Sequence, residues 1–179
     1  MAEYLLKRID PDMYEAIADF RREMLAEGSS FDGCSSLEKY EDIEKWHLNA
    51  KLFESSDTVP PGYSLGFVYA YMKDDELIGM VNIRPLAETH PYLKEYGGHI
   101  GYAIRPCQRN KGLATRMLSD ALRICKNDFG LGRVMITCLK DNSASEKVII
   151  KNGGVLKKRY SVLSKKSILR GIGLNYENR

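Results

Sequence analysis

Between residues 105 and 115 the chain reads RPCQRNKGLAT, and three residue types there share one chemistry. Arg109 and Lys111 are cations, Gly112 has no side chain, and Leu113 opens a run with helical periodicity. A helix start leaves its first amides without carbonyl partners. Those amides, together with the positive end of the helix dipole, attract an anion. Glycine at 112 lets backbone approach that anion, and an arginine fork can grip phosphate with parallel N–H bonds. The stretch therefore asks for a phosphate or pyrophosphate. Two common phosphate motifs do not fit. A P-loop needs G-x-x-x-x-G-K-[ST], a string the sequence lacks. A dinucleotide fingerprint needs G-x-G-x-x-G between strand and helix, but GLGRVM has Met135 at the third glycine and GIGLNY ends in Tyr176.

Other residue types point to less. Cys34, Cys107, Cys125 and Cys138 are scattered without a C-x-x-C pair, so neither a metal site nor a disulfide framework is expected. The segment LKKRYSVLSKK, residues 156–166, is basic and could touch nucleic acid, but a solvated hairpin is the better reading. The net charge of +3, from 27 basic and 24 acidic residues, is too small to argue for nucleic acid. Tyr63, Phe67, Tyr69 and Tyr71 alternate along a strand pattern and read as sheet packing. Trp46 and His47 stand near Glu38, Glu41, Asp42 and Glu44, a setting that would suit a cationic amine or simply a packed helix with a solvated face. No stretch approaches the roughly 20 apolar residues of a membrane span, and MAEYLLKRID carries charges inside its apolar run. A cytoplasmic protein is expected.

These residues need elements to hold them. The 179 residues suit one domain, 1–179, with no internal repeat or long linker. Residues 4–9 pattern as a strand, and 11–28 as a helix with Pro11 in its first turn and Gly28 at its end. Residues 35–53 read as a second helix capped by Ser35 or Ser36. Two strands, 63–72 and 77–85, are joined by the polar turn KDDE, and a long connector covers 86–98. HIGYAIRP is a strand ended by Pro106, and residues 112–126 form a helix with Leu113, Met117, Leu118, Ala121, Leu122 and Cys125 on one apolar face. RVMITCL is a strand, SASEKVIIKNGG a short helix stopped by Gly153 and Gly154, and the remainder a pair of strands. The class is α/β, with a mixed central sheet of about seven strands flanked by about four helices.

The run Gln108, Arg109, Asn110, Lys111, Gly112, Leu113, Ala114 follows a strand and has the form Q/R-x-x-G-x-A/G. It resembles the acetyl-CoA pyrophosphate loop of the GCN5-related N-acetyltransferase (GNAT) superfamily. GGHIGYAIRPCQRNKGLATRML and the later ITCLKDNSASEKVIIKNGG extend the likeness, especially to a branch of bacterial predicted acetyltransferases. The resemblance implies that acetyl-CoA is a cosubstrate, bound by residues 108–115, Thr115 included. It implies that the pantetheine arm lies against backbone near Tyr102, Ala103, Ile104 and Arg105, in an opening between two strands. It also implies cofactor contacts from Asn142 and Ser145, although DNSASE reads equally well as a helix cap.

The implied reaction is direct attack of a primary amine on an acetyl thioester. An ammonium group must first lose a proton. Many members of the superfamily place Glu where this chain has His99, so His99 is the expected base, with Glu88 and Glu95 as rivals. The tyrosine that often serves as acid corresponds to Ile149, leaving Tyr160 or water in that role. The expected function is an acetyl-CoA-dependent N-acetyltransferase acting on a small-molecule or peptide amine, with no nucleic acid or membrane as partner. A non-catalytic acyl-CoA-binding or scaffold domain is the alternative. The C-terminal ILRGIGLNYENR is strand-like and offers an edge for a homodimer.

Overall fold

The computed structural model describes residues 3–162 and 167–175, with side chains described from 3 through 155. Four strands, β1 (Tyr4–Arg8), β2 (Phe67–Lys73), β3 (Glu76–Ile83) and β4 (Ile100–Ile104), form one sheet in that order. Strands β5 (Arg133–Leu139), β6 (Val155–Val162) and β7 (Ser167–Asn175) form a second, in the order β5-β7-β6. Every described ladder is antiparallel. The sequence reading anticipates one mixed central sheet, and the difference lies between β4 and β5, which belong to separate sheets.

Both faces of the first sheet are covered, which is why β2 reads as a nearly unbroken apolar run. Val68, Ala70 and Met72 pack with Ile17, Phe20 and Met24 of α1 (Tyr14–Ala26) and Trp46 of α2 (Ile43–Leu52). Tyr69, Val81 and Ile83 instead join Leu118, Ala121 and Leu122 of α3 (Leu113–Asn127), with Val134 and Ile136 of β5. The alternating aromatics Tyr69 and Tyr71 are buried between these layers, as sheet packing requires. Helix α4 (Ser143–Lys151) ends in a left-handed glycine turn: the Gly153 amide donates to Ile150 and the Gly154 amide to Ile149.

The structure differs from the sequence reading in several places. The strand expected over 63–72 starts at Phe67, and Tyr63 lies exposed in the loop before it. The second helix does not start at Ser35 or Ser36, because both have positive φ (50° and 59°). A short 3-10 turn (Leu37–Lys39) follows them, and α2 starts after Asp42, whose Oδ1 accepts from the Lys45 amide at 3.1 Å. The connector before β4 is not irregular throughout, since Ala87–Thr89 is a 3-10 turn and Leu93–Gly97 a turn of π-helix. Strand β7 cannot offer an edge to a second copy, because it lies between β5 and β6 with both sides paired.

Candidate active site

The two sheets are tied at one point and open beyond it. The His99 amide donates to the Met135 carbonyl at 2.7 Å, and the Met135 amide donates back to His99 Nδ1 at 3.0 Å. Thr137 Oγ1 donates to the Tyr96 carbonyl at 2.8 Å. Gly98 sits at φ +65°, where a Cβ would stand 2.6 Å from the Met135 carbonyl oxygen, so only glycine fits. Past this junction Ile100 through Ile104 and Thr137, Cys138 and Leu139 line a cleft of about 1130 Å³. The walls also carry Gln108, Arg109, Asn110, Gly112, Leu113, Ala114, Thr115, Asn142 and Ser145.

At the head of α3 the backbone turns through two left-handed residues, Asn110 (φ +60°) and Gly112 (φ +76°). The Thr115 and Arg116 amides donate to the Gly112 carbonyl, so the first helical turn closes on this glycine. The amides of Leu113 and Ala114 precede any helix carbonyl that could accept them. A Cβ at Gly112 would meet no protein atom within 4 Å. The space beside this turn is open, and amides at such a helix start can serve as partners for an anion.

The side chains of the loop depart from the sequence expectation. Arg109 turns away from the anion turn. Its Nε donates to the Ile104 carbonyl at 3.2 Å and its Nη2 to Ser29 Oγ at 2.8 Å, which staples the loop to the segment after α1. Arg105 pairs with Glu23 of α1 and lies outside the cleft lining. Lys111 Nζ donates to Gln108 Oε1 at 2.9 Å, and Gln108 Nε2 donates to Glu76 Oε1 at 2.6 Å. What the loop offers an anion is therefore backbone, and the two arginines are engaged by other parts of the chain.

The expected bases also fare differently from the cofactor loop. His99 is fully buried and absent from the cleft lining. Its Nδ1 accepts from an amide, which places the proton on Nε2, and that nitrogen is buried without a partner. Burial lowers its pKa, the nearby Glu88 carboxylate opposing this in part. A ring so held presents no free lone pair to the cleft, and it pins β4 to β5. Glu88 pairs with Arg133 at 3.2 Å on the surface, and Glu95 is exposed; neither lines the cleft. The side chains of Tyr160 and of the rest of the basic segment 156–166 lie outside the described residues, although the backbone of 156–162 belongs to β6. Trp46 and His47 pack rather than line the site: the indole donates to the Cys34 and Ser35 carbonyls, and His47 Nδ1 meets the Tyr14 hydroxyl at 2.8 Å. Of the acids beside them, Asp42 caps α2 and none lines the cleft.

Helix α4 presents a serine hydroxyl to the cleft, one turn before the position that corresponds to the superfamily's tyrosine. Ile149 is buried in the core, whereas Ser145 faces the cleft and its Oγ lies 2.8 Å from the Tyr102 hydroxyl. Asn142 Oδ1 accepts from the Ser145 amide at 3.0 Å, so Asn142 caps the helix and fixes Ser145 at once. Burial pushes the Tyr102 phenol up to about 12, the Ser145 contact opposing it, and the phenol stays protonated at neutral pH. Sequence reasoning missed the opposite wall: Ser29, Ser30 and Asp32 from the α1–α2 loop, Arg84, and Tyr92 and Tyr96 from the π-helical turn. Gly101 inside a strand was the available signal, since such a glycine marks close backbone approach.

A family model described as an acetyltransferase (GNAT) domain matches residues 6–155. A ribosomal L7/L12 alpha-N-protein acetyltransferase, RimL, solved with coenzyme A in disulfide linkage to a cysteine, superposes with TM-score 0.71 at 15% identity, covering 96% of this chain and 93% of that one. Mycobacterium smegmatis RimJ, in complex with CoA-disulfide, gives 0.71 at 14% identity, with 97% and 82% covered. A dodecameric spermidine N-acetyltransferase from Vibrio cholerae gives 0.64 at 13%, with 96% and 93% covered. No curated protein matches the chain in sequence.

Proposed function

This chain belongs to the GNAT acetyltransferase family, and from that premise we propose that it is an acetyl-CoA-dependent N-acetyltransferase acting on a primary amine of a peptide or small molecule. The observation that carries the proposal is the left-handed turn at Gly112, open on its outer side, at one end of the cleft that opens between β4 and β5 beyond their junction at His99 and Met135. The pyrophosphate fits the amides of residues 112–114, and the pantetheine arm fits the backbone of 102–104 along the free side of β4. Solved structures of the same fold hold coenzyme A or its disulfide. Acetyl-CoA supplies an activated acetyl thioester.

The residues of the chain divide the remaining work. A free amine forms the new N–C bond as the C–S bond breaks, and the ammonium's surplus protons leave to water. If the Tyr102 hydroxyl donates to Ser145 Oγ, the Ser145 proton is free to point into the cleft, toward the sulfur that leaves. A thiolate is a good leaving group, so this help adds to the rate without being indispensable. The similar proteins acetylate ribosomal protein or spermidine, so the fold accommodates acceptors of different chemistry.

The test is release of coenzyme A thiol from acetyl-CoA, followed across a panel of peptides and small amines, with acetylated product identified by mass. Amine-dependent release supports the transferase. Tight binding of acetyl-CoA with no amine-dependent release across the panel would leave a binding module instead.

A further inference from the structure

The wall of the cleft formed by the α1–α2 loop is unusually constrained for a loop. Gly33 has φ +81°, and a Cβ there would overlap the Gly101 carbonyl oxygen and stand 2.6 Å from the Tyr102 Cα. The loop backbone thus lies directly on β4. Cys34 is fully buried, the Trp46 indole holds the Cys34 and Ser35 carbonyls, and Arg21 donates to the Leu37 and Glu38 carbonyls. Arg109 fastens Ser29 at the other end. Asp32 is carried on this fixed backbone beside the residue that touches Tyr102.

Charge in the cleft is unevenly placed. Among the described residues that line it, Asp32 is the only carboxylate. The arginines of the lining donate their hydrogen bonds elsewhere: Arg84, whose charge the Asp32 carboxylate supports from nearby, donates to the Gly97 and Gly98 carbonyls at 2.8 and 2.9 Å, and Arg109 to Ile104 and Ser29. Lys147 and Lys151 line the cleft from α4. Asp32 Oδ2 accepts from Ser30 Oγ at 2.6 Å, which orients the carboxylate and leaves Oδ1 for another donor. The neighbouring wall is aromatic and apolar, with Tyr92, Leu93 and Tyr96, and the two tyrosine rings lie 5.6 Å apart. Tyr92 is exposed, and its ring face attracts a cation and covers carbon chain alike.

Resting on the transferase reading above, we propose that Asp32 binds the ammonium of the acceptor and selects amines with a single cation, followed by neutral or aromatic chain. The carboxylate holds the ammonium beside Tyr102, and Ser145 contacts the same tyrosine from α4. A second cation further along the acceptor faces Lys147 and Lys151 on the far helix, and no second carboxylate among the described lining residues offsets that repulsion.

Four probes test this: tyramine, butylamine, a tetrapeptide with a free N-terminus, and spermidine, each with parent, Asp32→Asn and Asp32→Glu proteins. At least one single-cation probe is expected to exceed spermidine in kcat/KM by about tenfold or more. Asp32→Asn is expected to raise the KM of that amine about five- to tenfold, with the dissociation constant of acetyl-CoA by calorimetry unchanged. Asp32→Glu recovers part of the loss. The amine KM of the parent rises with salt, and that rise flattens in Asp32→Asn, which a merely structural role would not produce. An unchanged amine KM in Asp32→Asn, lost acetyl-CoA binding in that folded variant, or a preference for spermidine overturns the proposal. If the parent binds acetyl-CoA and acetylates none of the probes, the transferase reading fails, and this assignment falls with it.

Discussion

Gly33→Ala should damage the protein in a way that separates two costs. At φ +81° any L-residue carries roughly 1–2 kcal/mol of backbone strain. The added methyl also overlaps the Gly101 carbonyl and lies 2.6 Å from the Tyr102 Cα, where carbon contacts normally settle near 3.5–4.0 Å. These partners are backbone of a strand laddered to β3, so they cannot swing aside as a flexible side chain would. Overpacking of this kind costs about 1–3 kcal/mol more, for a total of about 2–5 kcal/mol. Gly28→Ala is the internal control. It sits at φ +58° with nothing within 4 Å, and so carries the strain alone. Chemical denaturation of both variants should leave Gly33→Ala the less stable by about 1–3 kcal/mol. Thermal midpoints should differ in the same order, by about 2–4 °C per kcal/mol for a chain of this size. Because the methyl lifts Asp32 and its loop off β4, the amine KM should rise while acetyl-CoA binding holds. Equal stability of the two alanine variants would refute the close loop-on-strand contact.

Four further outcomes follow from the geometry. Arg109→Ala should cost about 1–2 kcal/mol by denaturation, since it frees the Ile104 carbonyl and Ser29, yet weaken acetyl-CoA less than Gly112→Asp does. Ser145→Ala should lower kcat by about 10²-fold or less, with the acetyl-CoA dissociation constant near the parent value in calorimetry. His99→Asn keeps an acceptor for the Met135 amide, so kcat/KM at neutral pH should stay within a few-fold of the parent, whereas a catalytic base would lose about 10²–10⁴-fold. Burial holds the His99 and His47 pKa values below the ordinary imidazole range, so the unfolded chain takes up protons first. Stability should therefore be complete above about pH 6.5 and fall as the pH drops below it, and His99→Asn should remove its share of that slope in denaturation series.

What the sequence made legible was local. The strand, turn and helix from residue 100 to 127 follow from Pro106, from Gly112 and from an apolar face at helical spacing, all within one stretch of chain. Asn142 as a cap of α4 was legible for the same reason. What escaped depends on partners distant in sequence. Arg109 looks like a phosphate ligand until Ser29, eighty residues earlier, is seen to hold it. His99 looks like a base until Met135 is seen to occupy its acceptor nitrogen. Ser35 and Ser36 have the right chemistry for a helix cap, but Trp46 claims the carbonyls of Cys34 and Ser35 and delays the helix to Asp42. The wall of the cleft built by the α1–α2 loop was hidden because Gly33 and Gly101 announce their contact only when both are seen together.

The central claim is that backbone at Gly112 holds the pyrophosphate of acetyl-CoA. Calorimetric titration of acetyl-CoA into the parent and into Gly112→Asp tests it most directly, with circular dichroism confirming both folds. Asp tolerates the left-handed conformation better than most residues, so the variant should fold at a cost of about 1 kcal/mol. Its carboxylate would stand in the open space beside the helix amides and repel the ligand. The account predicts binding to the parent and none to the folded variant. Equal binding by the two, or none by the parent, would contradict it.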